Sequence, residues 1–483
     1  MNLLPLALQA DSVTFTSFTP LLVAVALWVG FVIYGLFSLR NHPKGLNPLF
    51  FTEMWERFSY YGMRALLLLY MTAPASAGGL GLSLKLSGLL YGLYTFFVYA
   101  LSVPGGWIAD RFLGYRKAVL VGGVLIALGE FALASGPLAL FYVGLAVIAI
   151  GTGLLKTNCT SIVGMLYEKN DPRQDGGYTI YYMGINIGAL IAPLILGFMA
   201  QDPVFVAALG KLGLASANGW RWAFGFAGLA MVAGLIQYSL RQGSLGDVGL
   251  KPGARLSANG EQIIHAPLSP EERSRMWVVV ILVFFIMIFF FVFEQAGTTL
   301  NLFADEHTRM SLFGFTLRST WFQSVNSIWL LFLAPIFSWL WIALKEKEPS
   351  SPIKFTLGLF FVGAGMLLLV LPSLAYTANP VLKVSPWWLV GTYGLHTIGE
   401  LCLSPVGLST VSKLAPARYS GVMMGVFFFA IGMGNMLAGL AGGFSGSLQP
   451  ATLFGGLFAI TTAMALVLVA LTPRIKRMMG GVH

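Results

Sequence analysis

The chain has 483 residues, 57% of them hydrophobic and 10% charged, with a formal net charge of +10. A soluble globular domain is about half apolar and a quarter charged, so one water-soluble core cannot account for this composition. The positive charge does not call for nucleic acid, because the basic residues are spread over alternate segments, and with two cysteines, Cys159 and Cys402, both in apolar runs, no structural disulfide is expected.

Runs of about 20 residues with few charges recur along the chain, each long enough to cross a ~30 Å hydrocarbon layer as a helix. They read as spans at 19–39, 50–74, 86–110, 118–136, 138–167, 177–200, 220–240, 276–304, 320–344, 354–376, 387–413, 419–445 and 451–472. No basic residue precedes the first run and it is long enough to span, unlike the apolar region of a signal peptide. Residues 1–47 are therefore an extra N-terminal transmembrane helix and a cytoplasmic connector. The twelve later spans form two six-helix bundles, 48–241 and 274–473. Between them 242–273 is polar and rich in Gly, Pro and Ser, a cytoplasmic linker, and 474–483 is a tail. The 57 glycines, often four apart, are read mainly as helix-packing positions.

Basic residues mark alternate loops: Arg40 and Lys44; Arg111, Arg116 and Lys117; Lys169 and Arg173; Arg241, Lys251, Arg255, Arg273 and Arg275; Lys345, Lys347 and Lys354; Lys413 and Arg418; Arg474, Lys476 and Arg477. The positive-inside rule places these loops and the C-terminus in the cytoplasm and the N-terminus outside, in a multi-pass protein of the cell's inner (plasma) membrane.

The first core helix carries the string EMWERFSYYGMR. At ~100° per residue, Glu53, Arg57, Tyr60 and Arg64 lie on one stripe, with Glu56 and Tyr61 on its flanks. A charge in a bilayer costs on the order of 2.5–3.5 kcal/mol on insertion scales, so this face must meet a cavity or a partner. A metal is not expected, since carboxylate-bridged metal bundles use Glu-x-x-His pairs, which are missing here, and Arg57 would repel a cation.

After the second core helix, Gly105 to Lys117 reads GGWIADRFLGYRK. With Gly106, Asp110, Arg111, Gly114, Arg116 and Lys117 it resembles the loop signature of the major facilitator superfamily, with one extra residue before the glycine. Asp110 can hold basic loop residues or cap a neighbouring helix and so tie two helices together. The resemblance implies an all-α integral membrane fold of two six-helix bundles.

The string ExxER followed by F-x-Y-Y-G is similar to the first-helix motif of the proton-dependent oligopeptide transporters. Further segments resemble the same family: GTGLLKTN with Lys156, YTIYYMGINIGALIAP with Asn186, FEQAGTTLN with Glu294, FQSVN with Asn326, and GELCLSPVGLSTVSKLAP with Glu400 and Ser404. Together they cover about residues 48 to 472. Tyr99 falls where the family has a pocket tyrosine, and Phe427 where it often has a tryptophan. Thr157 and Ser327 also depart from the pattern, the second helix has no histidine, and the inserted helix pair of many bacterial members is missing.

The resemblance implies transport of di- and tripeptides with protons, without a cofactor or an obligate protein partner. A zwitterionic peptide needs an anion for its amine, cations for its carboxylate, amide groups for its backbone and apolar walls. Glu400 suits the first, Arg64 and Lys156 the second, and Asn186 and Asn326 the third, with Tyr60, Tyr61, Tyr99 and Phe427 as walls. For the proton, a carboxylate that gains and loses a cationic partner can bind and release it. Glu53 and Glu56 beside Arg57 and Lys156 meet that need, and Glu294, able to pair with Arg64, is a second acid. Glu130 and His396 match no pattern, His396 reading as a packed polar residue. Other readings are the same fold with an amino acid, nitrate or a peptide-like drug as cargo, or a membrane enzyme or receptor. Glu400 argues against nitrate, and no H-E-x-x-H, credible G-x-S-x-G turn or phosphate loop supports an enzyme.

Overall fold

A computed structural model of the chain describes residues 19–168, 171, 173–214, 219–250, 269–312, 315–379, 383–416 and 419–480. Residues 1–18, Lys169, Arg418, the linker's middle with Lys251 and Arg255, and tail residues 481–483 lie outside the described residues.

The elements in chain order are α1 (Thr19–Ser38), α2 (Leu46–Thr72), α3 (Leu84–Ala100), α4 (Ser102–Ile108), α5 (Tyr115–Ser135), α6 (Leu138–Met165), α7 (Gln174–Gln201), α8 (Pro203–Lys211) and α9 (Gly219–Arg241). They continue with α10 (Pro270–Phe293), α11 (Thr299–His307), α12 (Phe322–Leu344), α13 (Ser351–Ala378), α14 (Trp387–Leu414), α15 (Ser420–Phe444) and α16 (Pro450–Met479). A small hairpin pairs β1 (Ser311–Leu312) antiparallel with β2 (Phe315–Thr316). In lipid a chain must satisfy its own backbone groups, which is why apolar runs of this length become helices. Local signals set the ends. Before α10, Ser269 Oγ accepts from Glu272 N at 3.1 Å while the Glu272 carboxylate accepts from Ser269 N at 2.9 Å, a capping box with Pro270 in the first turn. Gly136, at φ 109°, ends α5.

Among the described residues, eleven helical segments are long and apolar enough to cross a membrane. Two more, α2 and α14, have comparable lengths of 27 and 28 residues, and α2 falls outside the apolar set because it carries Glu53, Glu56, Arg57 and Arg64. Two spans that read as unbroken in the sequence are interrupted. The second core span passes from α3 to α4 and then into a π-helical turn, Ala109–Leu113. The seventh stops at Phe293, continues as a 3₁₀ turn over Glu294–Gly297 and resumes as α11, with Thr298 at φ −122°, ψ −98°. Gln295 Oε1 accepts from the hydroxyls of Thr298 at 3.0 Å and Thr299 at 2.8 Å, so side chains supply bonds where the backbone ladder is broken.

By packing, the chain forms two compact units. The first holds α1, α2, α4 to α9 and the segment Leu317–Ser324. In it α2 lies against α7 and α9, and α5 against α6 and α9. The α2–α7 contact is close enough that a Cβ on Gly188 would sit 2.4 Å from the Met54 carbonyl and 3.0 Å from Arg57 Cβ. That approach fixes the rotation of α2 and with it the direction of its charges. Leu317–Ser324 joins this unit through Gln201 Nε2 donating to Ser319 Oγ (2.8 Å), Thr320 Oγ1 donating to Gln201 Oε1 (2.9 Å) and Ser324 Oγ donating to the Leu190 carbonyl (2.7 Å).

The second unit holds α3, α10, α11, α12 from Val325 onward, and α13 to α16. Helix α13 packs on α14 and α16, and α10 on α15. Although α3 precedes α4 in the chain, its partner is α15. Small residues on both helices permit this, since a Cβ on Gly88 would lie 2.4 Å from the Gly439 carbonyl. Cys159 and Cys402 are buried free thiols.

Candidate functional site

In the first unit the charges of α2 are almost fully buried, with Glu53 and Glu56 1%, Arg57 2% and Arg64 5% exposed. Arg57 Nε lies 3.1 Å from Glu53 Oε1 and also pairs with Glu56 Oε2. From α7, Tyr181 OH donates to Glu53 Oε2 at 2.5 Å, and it lies 3.3 Å from the Thr160 hydroxyl of α6. Lys156, also on α6, is near enough to act electrostatically on Glu56. Two carboxylates thus share the guanidinium of Arg57, with the ammonium of Lys156 as the second cation of the cluster. Further along α2, the Arg57 guanidinium lies 5.2 Å from the Tyr60 ring, Tyr60 meets Tyr61 edge-on at 5.1 Å, and Arg64 lies 5.6 Å from the Tyr61 ring. Six residues of the EMWERFSYYGMR string, Glu53, Glu56, Arg57, Tyr60, Tyr61 and Arg64, therefore join one continuous chain of contacts. Asn186 of α7, 7% exposed, donates to the Tyr182 carbonyl at 2.9 Å.

In the second unit Asn326 brings α12 to α14. Its Nδ2 donates to Thr397 Oγ1 at 2.9 Å and to Glu400 Oε2 at 3.2 Å, while Thr397 Oγ1 donates to the Tyr393 carbonyl at 2.8 Å. Asn326 and Glu400, 74 residues apart, thus form one polar pair. Ser404 follows Glu400 by one turn of α14. Glu294 is 3% exposed in the interruption between α10 and α11. His396, wholly buried, lies with its ring 6.1 Å from that of Phe293. Phe427 of α15 is 4% exposed and packs against Gly407 of α14, whose Cβ would lie 3.3 Å from the ring. Tyr99 is on α3, beside Gly432 of α15.

In the loop motif, Asp110 lies in the π-helical turn and accepts a hydrogen bond from Tyr115 OH. Arg116 reaches the segment after α9: its Nε donates to the Val248 carbonyl at 2.6 Å, its Nη2 to the Gly246 carbonyl, and its backbone N to the Gly249 carbonyl at 3.1 Å. Gly114, at φ 75°, has the Leu250 carbonyl 2.7 Å from where a Cβ would be, so a side chain there would be strained and would clash. Arg111 lies 5.8 Å from the rings of Trp107 and Phe112. Arg111 and Lys117 are exposed, and a Cβ on Gly106 would lie 3.6 Å from Thr157 Cγ2.

Two contacts were not anticipated from the sequence. Tyr181, inside the YTIYYMG string, holds Glu53. Glu130 on α5, wholly buried, accepts from Ser59 Oγ of α2 at 2.7 Å. A glutamate in an apolar run was the visible signal for the second, but its partner lies 71 residues away.

Long apolar helices with buried ion pairs and an interrupted span define a multi-pass membrane transporter. The sequence profile of the POT family matches residues 116–252 and 253–451. The chain is 35% identical to the peptide transporter YePEPT of Yersinia enterocolitica subsp. palearctica serotype O:3 (strain YE-P4), over 91% of this chain and 96% of that one. It is 32% identical to a di-/tripeptide transporter of Lactococcus lactis subsp. cremoris, over 81% and 87%. A crystal structure of peptide transporter POT in complex with sulfate superposes with a TM-score of 0.81 at 35% identity, covering 92% of this chain and 97% of that one. The chain belongs to the POT family of peptide transporters, which have the major facilitator fold and are not enzymes.

Proposed function

We propose that this transporter is a proton-coupled symporter that imports di- and tripeptides by alternating access. The observation that carries the reading is the pairing of Glu53 and Glu56 with the single guanidinium of Arg57, buried on α2. With Arg57 and Lys156 both at the carboxylate pair the charges balance, and when either cation moves away the second negative charge is costly in a medium of low dielectric constant, so one acid takes up a proton. A change in the position of Arg57 or Lys156 then binds or releases that proton. Relatives named as peptide and di-/tripeptide transporters supply the cargo class.

In this reading Arg64 and Lys156 hold the peptide carboxylate and Glu400 its amine, while Asn186 and Asn326 serve the peptide backbone. Ser404, Tyr60, Tyr61, Tyr99 and Phe427 complete the lining, and Glu294 is a further proton site. Gly106, Asp110, Arg111, Gly114, Arg116 and Lys117 tie the helices on the cytoplasmic side. The bundles are 48–241 and 274–473, α1 is a further crossing, and the protein lies in the plasma membrane with its C-terminus in the cytoplasm and its N-terminus outside. Uptake of labelled dialanine into proteoliposomes with an imposed proton gradient tests the function. Accumulation that collapses with the gradient is expected, and uptake indifferent to the gradient, or none, sinks the reading.

A further inference from the structure

The segment between α1 and α2 and the end of α9 border an open cavity of about 490 Å³ lined by Arg40, His42, Lys44 and Arg241, with no acidic side chain in its lining. Arg40 and Arg241 are 201 residues apart in the chain, so the fold, not the local sequence, gathers these charges. Arg40, Lys44 and Arg241 are solvent-exposed, and like charges around one cavity repel unless an anion sits among them. His42 leaves the repulsion unchanged near neutral pH. Burial and the nearby Arg173 hold its pKa below the usual histidine value, and its Nδ1 is 2.9 Å from Tyr167 OH. Asn47, also in the lining, has a buried side-chain oxygen with no hydrogen-bond partner among the described residues.

The other side of the cavity is apolar. Leu36 and Leu240 line it, 43% and 80% exposed, and beside them Phe37, 63% exposed, lies under the Arg40 guanidinium at 4.0 Å. Helix α1 continues this surface with Val29, Ile33 and Tyr34, all exposed. A cluster of cations at the end of an apolar helix face matches one ligand chemistry, a phosphate monoanion carrying hydrocarbon chains.

We propose that this cavity is a headgroup site for an anionic glycerophospholipid. Arg40, Lys44 and Arg241 hold the phosphodiester, the Asn47 amide meets a headgroup hydroxyl, and the acyl chains run along Leu36, Phe37 and the outer face of α1. The lipid then joins α1 to the end of α9 and gives the additional helix a task apart from transport.

Native mass spectrometry of the full-length detergent-purified protein, titrated with phosphatidylglycerol, tests the assignment. Each cation removed should weaken binding about fivefold, so Arg40→Gln with Arg241→Gln should lose about twenty-fivefold. The control Lys476→Gln with Arg477→Gln, equal in charge change but on exposed positions of α16, should bind as the wild type does. If the double variant fails to fold, the wild type alone decides, because about 0.5 M salt should release the lipid. Phosphatidylcholine binding as well as phosphatidylglycerol, a double variant with wild-type binding, or retention unaffected by salt would each overturn the proposal. Inorganic phosphate that binds at the same concentration and displaces the lipid would assign the cavity to free phosphate, and overturn it too.

Discussion

Asp202 divides its carboxylate between two tasks, and one of them is Arg318. Oδ1 caps α8 by accepting from Val204 N at 2.9 Å, while Oδ2 accepts from Arg318 Nε at 3.0 Å and Nη2 at 2.6 Å. The pair is mostly buried, with the arginine side chain 18% and the aspartate 8% exposed. It secures Leu317–Ser324 to the end of α7 together with Gln201, Ser319 and Thr320. Arg318→Gln should cost about 1.5–3 kcal/mol, the range for a hydrogen bond to a charged group. Asp202→Asn should cost less, because asparagine still caps a helix. Thermal melting in detergent gives the ranking, and hydrogen exchange should rise in Leu317–Ser324. Equal melting temperatures for Arg318→Gln and the wild type would show that the pair contributes nothing.

Glu53→Gln and Glu56→Gln each remove one acid from the pair held by Arg57. An inward positive charge gains ~2.3 kcal/mol per 100 mV, about fiftyfold accumulation. Both variants should lose that accumulation and equilibrate their substrate. Counterflow between equal pools should persist, since exchange needs binding and reorientation but no net proton transfer. Normal gradient-driven uptake by both would move the coupling elsewhere, with Glu294 the next acid to substitute.

Lys156→Ala removes the cation assigned to the peptide carboxylate. Binding should weaken by roughly ten- to a hundredfold, the equivalent of about 1.5–3 kcal/mol for a charge-assisted contact. A dipeptide amide, which lacks that carboxylate, should be affected far less. Parallel losses for the acid and the amide would remove Lys156 from the substrate.

Glu400→Gln keeps the side-chain volume, and the glutamine can still accept from Asn326 Nδ2. A buried ammonium without a counter-ion is costly, so free dipeptides should lose far more affinity than N-acetylated ones, which should bind poorly to the wild type as well. Competition of each peptide against labelled dialanine makes the comparison. Equal losses for the two would leave Glu400 as a structural or proton-linked residue.

The helices of this fold were legible in the sequence because lipid imposes one rule on every span, and α2 declared itself by four charges within twelve residues. The interruption at Glu294 was hidden: the run FFFVFEQAGTTLNLF was read as part of one span despite its polar residues, and the hydroxyls that replace the backbone bonds look ordinary in a sequence. Arg116 was recognised as part of a motif, but its partners are backbone carbonyls, which no residue type announces. Nor could hydropathy choose the neighbour of α3, since that choice rests on glycines meeting across two distant helices. Ser59 and Glu130 show the same limit, because each is commonplace until the fold pairs them.

The burial of α2 also bears on how the protein reaches its membrane. Its 27 residues bring Glu53, Glu56, Arg57 and Arg64 into a layer where each bare charge costs on the order of 2.5–3.5 kcal/mol on insertion scales. A segment with that penalty does not leave the translocation channel for lipid alone. It has to wait in a protein or watery environment until α7 arrives with Tyr181, more than 120 residues later in synthesis. Arg57 can neutralise its neighbours from the start because the three residues share one helix, but the seat closed by Gly188 forms only when the nascent helices assemble. The charged face of α2 is thus sealed from water only after α7 has been made, and the two helices enter their final packing together.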